Sequence, residues 1–333
     1  MKDAPPLHDV CIRGDKLLEV AEYLISKGVD LNDFKFRYTK YPIHTACKNG
    51  ALKIVQLLVK SGASLNCTDE EGRYPIHSAM YNDSATTLDL VRFLVDSGSK
   101  IDCVDYKGRT PLQYVCKLMK NNRVDLIKYL LGCGANINHC DNKKLTSLHI
   151  VCNDNVISLE AVQLLVNSGA NVNCSDKYNE YPIHKVISNS DNATVELVQF
   201  LVDSGSEIEC KNIKGYTPLH YTCLNGGRVD LAKCLLDCGA NIHCTTEEEE
   251  TPIHVASHTN TTLEVIKLLV DRGANLHNCC RSGKYLIHTA CERNLVEFVK
   301  FLISKHVDTK VKTKNGKSPY DLTNNEEIRQ LLN

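Results

Sequence analysis

The sequence predicts an all-α solenoid, a stack of helical repeats, and three observations carry that prediction. A Pro-Leu/Ile-His string or a near copy recurs at His8, His44, His77, Gln113, His149, His184, His220, His254, His288 and Asp321, a nearly regular ladder from one end of the chain to the other. A second string, Leu-x-x-x-Gly-Ala-Asn-Ile-Asn in its fullest form, holds Gly28, Gly62, Gly98, Gly134, Gly169, Gly205, Gly239 and Gly273 in the same phase, with His306 in the ninth place. The interval from each of these to the next signature position is constant after the first, which is longer by a single position, whereas the interval from signature to glycine varies from unit to unit. A segment of fixed length joins units, and one free to vary is a surface turn within a unit. The sequence therefore protects the register between units, as a repeat architecture requires.

Each element of the unit can be justified in order. Thr/Tyr-Pro-Leu/Ile-His starts a short helix, because Pro fits the first helical position and Thr precedes it as a cap. A second stretch such as Leu52 to Val59 has its apolar residues at helical spacing, and Gly62 ends it in a left-handed conformation. Between units, Asn66-Cys67-Thr68-Asp69-Glu70-Glu71-Gly72 has Asp and Gly in turn positions and predicts a hairpin-like loop, repeated at Asp102 to Gly108 and Glu209 to Gly215. Lys144 and Glu249 fill the Gly slot in two such loops, so a positive φ there would be strained. At the end, Ser318-Pro319-Tyr320-Asp321 opens a unit rich in Asn, Glu and Gln, which suits a polar capping helix, and the unit from Pro5-Pro6 caps the other end.

These residues resemble the ankyrin-repeat family, whose period and Thr-Pro-Leu-His signature they share. The resemblance covers Pro5 to Leu332 and implies helix-turn-helix units with a projecting β-hairpin loop: about nine repeats plus a C-terminal capping unit. The approximate repeats are 5–37, 41–71, 74–107, 110–143, 146–178, 181–214, 217–248, 251–282, 285–315 and the cap 318–333, within one domain spanning 1–333. Phe93 to Ser99 returns as Phe200 to Ser206, and Arg123 to Leu126 returns as Arg228 to Leu231 at almost the same offset, so a block of three repeats reads as duplicated. The family pattern also implies that the signature His caps its helix and bridges neighbouring loops. Asn32 sits in a context similar to the sites of asparaginyl hydroxylases, although Asn in this slot also serves as a loop residue.

Composition narrows the function. The 39 Lys+Arg and 40 Asp+Glu leave a net charge of −1, which lacks the global basic field of a non-specific nucleic-acid binder. No apolar run approaches a membrane span, and Asp3 with two prolines replaces a signal-peptide core, so the expected compartment is the cytoplasm or the nucleus. Seventeen cysteines, an odd number, exclude a fully paired framework and fit a reducing compartment. His-x-x-Cys at His8/Cys11, His44/Cys47, His149/Cys152, His220/Cys223 and His288/Cys291 offers only two ligands per helix, so these thiols read as small core residues and not as zinc ligands. Cys67, Cys103, Cys174, Cys210, Cys244 and Cys234 read the same way, whereas Cys133, Cys140, Cys238, Cys279 and Cys280 are expected nearer the surface. There is no phosphate loop or nucleophile elbow, hence no expected catalytic residue, metal or cofactor, and the chain reads as no enzyme.

What remains is binding. The resemblance implies that the working positions are the loop tips and the exposed start of each first helix, on a concave face. If merely solvated, those slots would be polar, yet they hold Tyr81, Tyr106, Lys107, Arg109, Lys117, Leu118, Tyr178, Ile213, Tyr216 and Leu224. Arg73, Lys143, Leu145 and Lys214 share the tip slots. Aromatic and Arg side chains are the usual anchors of interfaces, so Tyr106, Tyr178, Tyr216 and Arg109 are the expected hot spots of a protein-binding scaffold. A small-molecule or nucleotide sensor using the same tips is the other reading.

Overall fold

A computed structural model describes residues 6–32, 40–118, 120–121, 123–189, 193–224, 227–259 and 263–333. The expected start of the first repeat at Pro5 and its end at 33–37 lie outside them. The described residues form two compact units, Met1–Asp154 with Ser158–Asn171, and Asn155–Ile157 with Val172–Asn333.

In the first unit the helix pairs are Pro6–Arg13 with Leu18–Ser26, Pro42–Lys48 with Leu52–Lys60, Pro75–Ala79 with Thr87–Asp96, Pro111–Leu118 with Arg123–Gly132, and Ser147–Cys152 with Leu159–Asn167. In the second they are Pro182–Ser188 with Val195–Asp203, Pro218–Thr222 with Val229–Asp237, Pro252–His258 with Leu263–Asp271, and Leu286–Glu292 with Val296–Ser304. A short turn of 3₁₀ helix, Tyr320–Leu322, and the helix Glu326–Leu332 close that unit. Second helices bury paired apolar residues one turn apart, such as Ile54, Val55 and Leu58, or Leu197, Val198 and Leu201. Each such side chain stabilises the fold by about 1.5–3 kcal/mol, and none of these short helices would persist without that packing.

The first helices begin with a reciprocal cap built on the signature residue. His77 Nδ1 accepts the backbone N–H of Tyr74 at 3.1 Å, and Thr217, Thr251 and Tyr285 N–H groups meet His220, His254 and His288 in the same way. With Nδ1 accepting, the proton sits on Nε2, which donates to the next loop: His44 to Arg73 C=O at 2.8 Å, His77 to Arg109 C=O at 3.0 Å, His184 to Tyr216 C=O at 3.2 Å and His220 to Glu250 C=O at 3.1 Å. Gln113 does the same work with an amide, accepting Thr110 N–H at 3.1 Å through Oε1 and donating through Nε2 to Leu145 C=O at 2.7 Å.

The interunit loops depart from the hairpin expected. Among the described residues there is no strand; an isolated antiparallel bridge joins Cys279 and Tyr285. Each loop is instead a narrow finger closed by two backbone bonds, and in most of them by a side chain as well. Asp69 N–H donates to Arg73 C=O at 3.0 Å, while Asp69 Oδ1 accepts Glu71 N–H at 3.0 Å and Arg73 N–H at 2.9 Å. Asp105, Asp141, Asp176 and Asn212 repeat this arrangement, so a carboxylate or amide replaces the ladder a strand pair would need. Lys144 and Glu249 take the positive φ of the Gly slot, at 58° and 60°, and Asn179 at 53° is a third case that the sequence reading passed over.

Two further expectations are corrected. Arg73 is buried rather than an exposed tip residue, because its guanidinium pairs with Asp69 at 2.8 Å and donates to Tyr81 Oη at 3.0 Å. Cys280 is also buried, its thiol 3.2 Å from Ser282 Oγ, whereas Cys133, Cys140 and Cys279 are exposed. The His-x-x-Cys thiols Cys11, Cys47, Cys152, Cys223 and Cys291 are all buried, as is Cys234. Asn32 serves its loop: its Oδ1 accepts Ser64 N–H at 3.0 Å.

Candidate partner-binding site

In the second unit, two adjacent fingers and the helix behind them enclose a cleft of about 430 Å³, lined by Tyr178, Glu180, Asn212, Ile213, Lys214, Tyr216, Tyr221 and Leu224. The fingers 176–180 and 212–216 are stitched by Ile213 N–H donating to Tyr178 C=O at 3.0 Å. That bond sets Tyr178 and Ile213 side by side at the tips, where they are 48% and 54% exposed. Behind them, Tyr221 is fixed from both sides: its hydroxyl donates to Glu180 Oε1 and accepts from Asn212 Nδ2 at 3.0 Å. Tyr216 stands edge-on to Tyr221 at 6.2 Å and to His220 at 5.6 Å, half-buried, and Leu224 continues the wall.

Ion pairs tie this floor together. Lys185 bridges Asp176 at 2.8 Å and Glu180, and Asp176 is held below its ordinary carboxylate range because the Lys185 ammonium and backbone N–H groups outweigh its burial. Burial, then the Glu180 carboxylate, pushes the Tyr221 phenol up, so it stays a neutral donor. His184 and His220 are pushed down to about 4 by burial and remain neutral. The cleft thus offers an apolar aromatic rim over a floor whose ion-paired and hydrogen-bonding groups are engaged with one another.

Four of the ten residues expected at the site, Tyr178, Ile213, Tyr216 and Leu224, line this one cleft. The others belong to the first unit. Tyr106 is 71% exposed, packed over Gly72, and Lys107 and Lys117 are exposed, whereas Leu118 is half-buried. Tyr81 is 42% exposed but accepts Arg73 and stands edge-on to Tyr114 at 6.0 Å. Arg109 is committed within its own finger: it pairs with Asp105 at 2.6 Å, donates to Tyr114 Oη at 2.9 Å and lies 4.7 Å from the Tyr114 ring centre. Glu180, Asn212 and Tyr221 were missed. Tyr221 takes the place of Tyr114 in the second copy of the duplicated block, and both phenols donate to a finger carboxylate, so the duplication carried the signal.

The thiols near signature histidines form no catalytic pair. Cys103, Cys210 and Cys244 lie 3.9, 3.8 and 3.7 Å from His77, His184 and His220 Nδ1, a nitrogen already bonded to the helix cap. Burial pushes Cys103 and Cys210 up to about 12, which keeps them protonated and unreactive. Among the described residues no three His, Cys, Asp or Glu side chains could hold a metal ion, and no helix is long and apolar enough to cross a membrane.

Family models of ankyrin repeats match the chain over residues 2–69, 43–141, 115–212 and 183–278 in blocks of three copies, and over 269–322 as many copies. The chain belongs to the ankyrin-repeat family, whose members are generally non-enzymatic protein-interaction modules. A stretch of 46 residues is 37% identical to BCL-6 corepressor-like protein 1 of Homo sapiens, covering 14% of this chain and 3% of that protein. Another of 78 residues is 32% identical to Palmitoyltransferase AKR1 of Kluyveromyces lactis, covering 23% of this chain and 10% of that one. Both similarities span only a small part of the relatives' own length.

Proposed function

We propose that this chain is a non-catalytic scaffold that binds a protein partner through fingertips and first helices, with the Tyr178–Tyr216 cleft as its anchoring pocket. The observation that carries this reading is the row Tyr178, Ile213, Tyr216 and Leu224 lining one cleft, since interface energy concentrates where aromatic and aliphatic side chains fill such hollows. Every polar floor group named there is already bonded, so a partner's apolar side chain can enter without stranding one. The working compartment is the cytoplasm or nucleus.

Affinity capture from a source-cell lysate tests this, using wild type beside Tyr178→Ala/Tyr216→Ala and, as a fold control, thermal melting of both. One protein held by wild type and released by the variant supports the reading. The same set held by both would move the site elsewhere. A second reading, a small-molecule or nucleotide sensor, draws on the cleft's size, which falls within the range of about 300–1,000 Å³ usual for ligand pockets. A thermal shift with nucleotides separates the two, because a ligand that binds only the folded state raises stability by mass action.

A further inference from the structure

The first unit has a different surface. Lys107 stands at the tip of finger 105–109, Lys143 at the tip of finger 141–145, and Lys117 near the end of the helix Pro111–Leu118. The two fingers are fixed together by Asn142, whose N–H donates to Lys107 C=O at 2.9 Å and whose Nδ2 donates to Tyr106 C=O at 3.0 Å. All three ammonium groups are on exposed side chains, and among the described residues none has a carboxylate partner. The acids nearby are buried within their fingers and make no ion pair with these lysines: Asp105 pairs with Arg109 and accepts finger N–H groups, and Asp141 accepts the N–H groups of Lys143 and Leu145. Partial burial, and after it the charges of Arg109, Lys107 and Lys143, lower the pKa of Lys117, and the Asp141 carboxylate offsets them only in part.

Two lysines of the second unit are neutralised by carboxylates. Lys185 is bound by Asp176 and Glu180, and Lys284 pairs with Glu292 at 2.7 Å. The slot of Lys117, just past the signature position on each first helix, holds Ser188, Leu224, His258 and Glu292 there. Lys214, at the tip of finger 212–216, likewise has no carboxylate partner among the described residues, but the first-helix slot beside it holds Leu224, so the cluster of three lysines belongs to the fingers 105–109 and 141–145 and the helix Pro111–Leu118.

We propose that Lys107, Lys117 and Lys143 form a receiving site for a short acidic segment of a protein partner, with Tyr106 beside them supplying an apolar contact. This rests on the reading that the chain binds proteins. Charge complementarity selects an acidic side-chain cluster, and the boundaries of the patch select a short one. The neighbouring finger, joined by Tyr106 N–H donating to Glu71 C=O at 3.0 Å, presents Glu70 and Glu71, both exposed. A uniform polyanion such as nucleic acid would run onto those carboxylates, whereas a peptide can end its acidic stretch before them.

The test is fluorescence anisotropy on the full chain with a labelled nonapeptide of Glu and Asp around one central Leu, and a single-stranded DNA of equal charge as competitor. Wild type is expected to bind the peptide more weakly as salt rises, because the site is exposed and screened. Lys107→Glu/Lys117→Glu/Lys143→Glu is expected to lose about tenfold or more, and the milder Lys→Gln triple several-fold, while Lys53→Glu/Lys60→Glu/Lys128→Glu on the second helices stays within about twofold of wild type. Absence of peptide binding, equal binding by the Gln and Glu triples, or displacement by the DNA at lower concentration than by unlabelled peptide would each overturn the proposal. If a captured partner stays on the chain while the acidic peptide fails, this site falls and the scaffold reading stands; if neither binds, both fall.

Discussion

Signature histidines are usually valued for their hydrogen bonds, and here the tautomer explains why the position is so demanding. It must accept at one atom and donate at another, about an imidazole's width away, and Gln113 shows that an amide meets both demands. Gln113→His is therefore expected to change stability by less than about 1 kcal/mol, whereas Gln113→Ala strands Thr110 N–H, leaves Leu145 C=O with only its bond from Asp141 N–H, and costs about 1–3 kcal/mol, read from urea unfolding midpoints. The neutral histidines also set a pH dependence. His44, His77, His184 and His220 have folded pKa values near 4, pushed down by burial from 6.5. Between those values the unfolded chain binds more protons, so stability is fully present above pH 6.5, falls as the pH drops, and bottoms out below about 4. Urea midpoints at pH 7 should accordingly exceed those at pH 5, at constant ionic strength; equal midpoints would refute the assignment of buried neutral imidazoles.

The finger is the element whose sequence pattern was visible but whose construction was not. Turn residues at Asp69, Gly72 and their equivalents were legible as punctuation. That a side-chain carboxylate would replace the strand ladder was not, since the same letters serve a true hairpin. Arg73 and Arg109 were misleading for a related reason: an Arg shortly after the finger's Asp reads as an exposed anchor in one dimension, but the closed finger folds it back onto that Asp. Strain follows from this geometry. Lys144→Gly and Glu249→Gly should each raise stability by about 0.5–1 kcal/mol, because a side chain in the left-handed region costs about 1–2 kcal/mol and the glycine's extra unfolded freedom takes back part of it. Gly215→Ala should do the reverse, since its Cβ would stand 2.6 Å from Glu247 N and 2.9 Å from the Thr246 backbone, and the φ there is +77°. Thermal melts of the three variants order them: the first two above wild type, the third below.

For the molecule as a whole, periodicity made the architecture legible, because a phase kept over the whole chain fixes which residues repeat. Most core cysteines followed from the same phase, although Cys67 and Cys174, read as core, are only half-buried, and labelling with iodoacetamide under native conditions should reach Cys133, Cys140 and Cys279 first, leaving Cys47, Cys116, Cys152 and Cys223 unmodified until the chain unfolds. Phase alone does not say which slots converge: Tyr178 and Ile213 lie a full repeat apart and meet through a single backbone bond between fingers, while Glu180 and Tyr221, still further apart in sequence, meet through a side-chain pair. Only the folded fingers reveal that Tyr221 anchors the floor on which Tyr216 stands. The central claim is that a partner occupies this cleft, and hydrogen exchange measured by mass spectrometry on the chain with and without its captured partner tests it most directly. Protection is predicted in fingers 176–180 and 212–216 and in the helix Pro218–Thr222; protection confined to the second helices Val195–Asp203 and Val229–Asp237, with those fingers unchanged, would contradict it.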